Sequence, residues 1–192
     1  MKLSSPQTYR IVRYLLDHST FKQVEVERET GVSFTLVNRI VNGLIDRGYV
    51  AKQPRGYRVV ASAALAQAIA FFRRMEKLKL ASLDVNASQE QIIAVQARTN
   101  SKLCLTSALR HYDDYFHDPS IQLYTTKEGV EEFRKLPPGR TRIELYEDDL
   151  KQDDDFEGEH EVRWTKQTRT IIDLLCSQRA YAAEKIIQKK WG

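Results

Sequence analysis

Residues 31–59 read GVSFTLVNRIVNGLIDRGYVAKQPRGYRV, and this stretch decides the fold. Gly31 suits the position just past a helix C-terminus. Ser33 is a good N-cap for the helix that follows, in which Leu36, Val37, Ile40, Val41, Leu44 and Ile45 recur as one apolar stripe. Gly48 ends that helix. Tyr49, Val50 and Ala51, then Tyr57 to Val60, are strand-like arms around the turn residues Gln53-Pro54-Arg55-Gly56. The helix face opposite the stripe carries Thr35, Asn38, Arg39 and Asn42, all polar or basic.

Working upstream, Pro6 is placed to open a helix, because its missing N–H falls among donors left unpaired there anyway. Tyr9, Ile11, Val12, Leu15 and Leu16 then repeat at helical spacing as far as Asp17 or His18. Residues 21–30 alternate enough for a strand, with Val24 and Val26 around Glu25, but a short helix ending at Gly31 is preferred. Three short helices followed by a hairpin with a basic tip is the element order of a winged helix-turn-helix.

Downstream, residues 61–80 are Ala-rich, apolar and then basic, which predicts a long helix joining two parts. Its first half is apolar all round and suits a packing or dimer seam. Residues 83–192 mix types: helices over 89–96, 105–115, 128–136, 166–177 and 179–190, with strands over 121–125, 141–146 and 161–164. The expected fold class is α+β: a winged helix domain at 1–62, a linking helix at 63–82 and a C-terminal α+β domain at 83–192.

The formal net charge of +4 conceals a division. Residues 1–80 hold 14 Lys and Arg against 6 Asp and Glu, a net +8, and the remainder carries −4. Much of that deficit lies in residues 147–161, where nine carboxylates face one Lys in what reads as a mobile acidic loop. A basic N-terminal part implies a polyanionic partner.

Double-stranded DNA fits the N-terminal chemistry. Asn bonds adenine bidentately, Arg bonds guanine, and the Thr methyl touches thymine. The expected base- and helix-proximal residues are Ser33, Thr35, Asn38, Arg39 and Asn42, while Lys52, Arg55 and Arg58 on the hairpin meet phosphates or the minor groove. Residues 31–59 resemble winged helix regulators, with Leu44-Ile45-Asp46-Arg47-Gly48-Tyr49-Val50 matching the "L-x-x-x-G-y-v" lead-in to their wing. The resemblance implies a sequence-specific transcriptional regulator, and a homodimer would read a palindromic site. The alternatives are a DNA-acting nuclease and a winged helix adaptor that binds protein.

A second resemblance covers the C-terminal part. Leu103-Cys104-Leu105-Thr106-Ser107-Ala108-Leu109 is similar to the "y-l-s-h-e-s-A-L" segment of AbiEi-type antitoxins, with Thr106 where that family has His. Residues 164–175, WTKQTRTIIDLL, resemble the same family's "s-p-e-R-T-l-l-D-L-L" segment. The resemblance implies an antitoxin that represses its own operon and antagonises a nucleotidyltransferase-like toxin, without needing a stable complex with it. Without that resemblance, the module reads as an effector-sensing domain. Arg169 and Asp173 lie four apart on one helix face; they form either a surface ion pair or a partner-binding site.

Other chemistries find little support. Two Cys cannot build a disulfide framework, and no Cys-x-x-Cys pair exists. No apolar run approaches the roughly 20 residues of a membrane span, and the N-terminus lacks a signal-peptide core, so a cytoplasmic location is expected. His111, Asp113, Asp114 and His117 span nearly two helical turns and read as solvated rather than metal-binding. Asp153-x-Asp155-x-Glu157-Gly158 begins like a calcium loop, but Trp164 stands at its twelfth position instead of Glu. Glu144, Asp148 and Asp149 lack the Glu-x-Lys companion of a nuclease centre. The expectation is no enzyme, no cofactor and no metal.

Overall fold

A computed structural model describes residues 5–159 and 162–192. The chain forms two compact units, Met1–Arg73 with Trp191–Gly192, and Arg74–Lys190.

The first unit runs α1 (Pro6–Asp17), β1 (Thr20–Phe21), α2 (Gln23–Thr30), α3 (Phe34–Ile45), β2 (Val50–Gln53), β3 (Gly56–Val59) and α4 (Ser62–Ala70). Ser5 caps α1 by accepting from the Thr8 N–H at 3.3 Å, with Pro6 at the first helical position. Tyr9, Ile11, Val12 and Leu15 of α1 form a buried core with Val26, Val37, Ile40, Val41 and Leu44. Each such side chain removed from water contributes on the order of 1.5–3 kcal/mol. Gly31 closes α2 in the left-handed region (φ 64°), where it costs no Cβ clash. The strand pattern of residues 21–30 survives only as Thr20–Phe21, which joins a three-stranded sheet in the order β1-β3-β2.

The linking helix expected at 63–82 is corrected. α4 stops at Ala70, a 3-10 turn occupies Met75–Leu78, and Lys79–Val85 is a strand, β4. Within α4, Leu65, Ala66 and Ile69 are buried. The second unit begins at Arg74 rather than residue 83.

That unit continues with α5 (Gln89–Arg98), β5 (Lys102–Leu103), α6 (Leu105–Leu109), β6 (Ile121–Tyr124), α7 (Lys127–Arg134) and β7 (Thr141–Tyr146). It ends with β8 (Phe156–Glu159), β9 (Val162–Thr165), α8 (Gln167–Leu175) and α9 (Glu184–Trp191), whose last residue belongs to the first unit. The strands form one mixed sheet ordered β4-β7-β6-β5-β9-β8. β6 and β7 run parallel with Leu123 beside Leu145 and Gln122 beside Glu144. Alternation sends Leu123, Ile143 and Leu145 into an apolar core with Ile92, Val95, Val130 and Phe133 of α5 and α7. Gln122, Tyr124, Glu144 and Tyr146 take the opposite face, and they too are buried.

Two further expectations change here. The helix expected over 105–115 ends at Leu109, because His111 stacks on Trp164 at 3.8 Å and Tyr112 donates to the Thr165 carbonyl at 2.9 Å. Within the acidic stretch expected as a mobile loop, the described residues 147–159 include regular elements. These are a 3-10 turn, Asp153–Asp155, and the edge strand β8, with Gln152, Asp155 and Phe156 buried. His160 and Glu161 lie outside the described residues.

Candidate nucleic-acid interface

α3 is held by one face. Val37, Ile40, Val41 and Leu44 are buried, while Leu36 and Ile45 are only half-buried. On the other side Ser33, Thr35, Asn38, Arg39 and Asn42 are all exposed. Ser33 occupies the N-cap position without making the cap bond. The Phe34 N–H donates instead to Glu27 Oε1 at 3.1 Å, so a carboxylate from α2 meets the positive end of α3. This cap leaves the Ser33 hydroxyl unused by the helix.

The sequence reading missed two residues here. Gln23, at the start of α2 and only 8% exposed, donates its Nε2 to Asn38 Oδ1 at 3.3 Å. Asn42 Nδ2 donates to the same oxygen at 3.0 Å. Phe34 is 41% exposed at the N-terminal end of α3, the part of a recognition helix that meets base edges. Phe34 stands outside the apolar stripe of α3, and the polar Gln23 gave no periodic signal at all.

The wing carries Lys52, Arg55 and Arg58, all exposed. Its register opposes Lys52 to Tyr57 and Ala51 to Arg58. Directly opposed residues share a face and neighbours alternate, so Lys52 and Arg58 project from opposite sides of the hairpin. Arg55 sits at the tip. Gly56 is required by the protein's own backbone: its φ is +143°, and a Cβ there would lie 2.6 Å from the Phe21 carbonyl oxygen. Phe21 also stacks on Tyr57, with ring centroids 5.5 Å apart.

Arg169 and Asp173 are corrected as partner-binding residues. Neither is exposed at all. Arg169 Nη1 meets Asp155 at 3.1 Å, and its Nη2 meets Asp148 at 3.1 Å and the Tyr124 hydroxyl at 2.9 Å. Asp149 lies 3.8 Å away. One guanidinium thus gathers Asp148, Asp149 and Asp155 onto α8. A buried guanidinium with its fork filled has no donor to offer a partner.

The carboxylates weighed as a nuclease centre are engaged as well. Glu144 binds Lys79 and Arg179, each at 2.7 Å. Burial pushes its carboxyl up, but the Lys79 hydrogen bond and the charges of Arg179 and Lys79 outweigh that and hold it below the ordinary carboxylate range. Among the described residues no three His, Cys, Asp or Glu are arranged to hold a metal ion, and no helix is long and apolar enough to cross a membrane.

A model of the MarR family matches residues 5–57, which is the winged-helix-like part of the first unit. No curated protein and no solved structure matches the chain. The family match supports a DNA-binding transcriptional regulator.

Proposed function

We propose that the chain is a sequence-specific, non-enzymatic regulator that docks α3 in a major groove. The observation that carries this reading is the two-sided character of α3. Its apolar stripe is buried, and Thr35, Asn38, Arg39 and Asn42 stand exposed opposite. Those side chains are short amides, a hydroxyl and a guanidinium, the groups that match base-edge donors and acceptors. Arg55 at the wing tip and Lys52 beside it take phosphates or the minor groove. Arg58, on the other face of the hairpin, is the weaker contact. A homodimer in the cytoplasm binding a palindrome is the proposed working form. The test is enrichment of the full chain's ligands from a randomised duplex pool. The reading expects two inverted half-sites about one helical turn apart and a steep fall of affinity with salt. Failure to enrich any sequence rejects it.

A second reading is an autorepressing antitoxin. One observation favours it: the two segments resembling AbiEi-type antitoxins meet directly, Leu103 of β5 pairing with Trp164 of β9. Co-expression with a nucleotidyltransferase-like toxin encoded beside the gene tests it. Rescued growth supports the reading, and unchanged toxicity removes it.

A further inference from the structure

We infer that Gln23 is a positioning residue that sets which hydrogen-bonding edge Asn38 shows to a base, and that Asn38 therefore selects guanine. The inference deepens the duplex-binding reading and rests on it. An amide oxygen has two lone pairs. Both of Asn38's are engaged, one by Gln23 Nε2 at 3.3 Å and one by Asn42 Nδ2 at 3.0 Å. What Asn38 presents outward is its Nδ2 group, which only donates. In the major groove, guanine offers two adjacent acceptors, N7 and O6, whereas adenine offers one acceptor and one donor. The adenine pairing expected of an Asn needs the oxygen that is occupied here. Asn42 spends one N–H on Asn38 and keeps its own oxygen and second N–H, the set that suits adenine.

Gln23 sets this polarity because it is the more enclosed of the two amides: it is nearly buried at the first turn of α2, while Asn38 is exposed on α3 and turns to meet it. Gln23→Glu keeps the shape but replaces the donor with an acceptor. Asn38 must then turn its Nδ2 inward and its oxygen outward, showing an acceptor to the groove.

The experiment uses the full chain and the duplex it enriches. Asn38→Ala locates the base pair that Asn38 reads, as the position whose preference relaxes. The expected base there is guanine, and 7-deazaguanine at that position weakens wild-type binding on the order of tenfold. Gln23→Glu is expected to shift the preference to adenine or cytosine, which present an amino donor, and to disturb besides it only the base that Asn42 reads, since Asn42 Nδ2 loses the same oxygen. The 7-deazaguanine arm does not use Gln23→Glu, so it stands even if that variant destabilises the domain. Adenine at that position in the wild type, indifference to 7-deazaguanine, or an unaltered base in a folded Gln23→Glu protein overturns the inference while leaving duplex binding intact. Failure of the wild type to enrich any duplex overturns both.

Discussion

Arg169 Nε donates to Asp173 Oδ1 at 2.9 Å, and neither side chain reaches solvent. The pair lies one helical turn apart on α8, so the helix itself sets the spacing. Around it, Asp148 and Asp155 close on the same guanidinium from a stretch that is strongly acidic in sequence. One buried cation thus ties several carboxylates of the acidic stretch to α8 through a single side chain.

Arg169→Ala is therefore expected to cost about 3–5 kcal/mol of stability, the penalty of stranding buried charge. Urea unfolding of the full chain measures it. A loss under 1 kcal/mol, the size of a surface ion pair, contradicts the buried network.

Capping of α3 separates Glu27 from Ser33. Glu27→Ala should lose about 1 kcal/mol, whereas Ser33→Ala should lose little, because only Glu27 makes the cap bond. Thermal unfolding of the two variants side by side decides it, and the reverse order refutes the assignment.

Two glycines differ in the same way. Gly56→Ala meets the Phe21 carbonyl and is expected to be the more costly, about 1–3 kcal/mol. Gly31→Ala finds open space and carries only the left-handed backbone cost of about 1–2 kcal/mol. Equal losses would show that β1 does not press on the wing.

Glu144 makes stability pH-dependent. Its folded pKa lies below its ordinary value, so its contribution is present above the unfolded carboxylate pKa and is lost as pH falls through the folded one. The wild type should therefore lose stability more steeply than Glu144→Gln as pH drops below about 4.3. Parallel curves for the two proteins count against the Lys79–Glu144–Arg179 cluster.

The first unit was legible because its signals agree. Pro6, Gly31, Ser33 and Gly48 punctuate helices whose apolar positions repeat every three or four residues. Residues 79–82 misled because Ala, Leu and Lys favour helix, yet pairing with β7 overrides local propensity. The acidic stretch read as a mobile loop because charge composition carries no record of a distant Arg169. The exposed face of α3 was found residue by residue. Gln23 was not, since a buried amide that braces another amide leaves no periodic trace.

If α3 reads bases while the wing holds backbone, duplex affinity across a salt series separates wild type, Arg39→Ala, Arg55→Ala and Arg58→Ala. Arg39→Ala should relax sequence preference, costing about 1–3 kcal/mol on the enriched site and little on other duplexes. Arg55→Ala should weaken every duplex and reduce the log–log salt slope by about 1, with Arg58→Ala doing less. Wild-type affinity that is flat with salt, or unchanged in both Arg39→Ala and Arg55→Ala, contradicts the account.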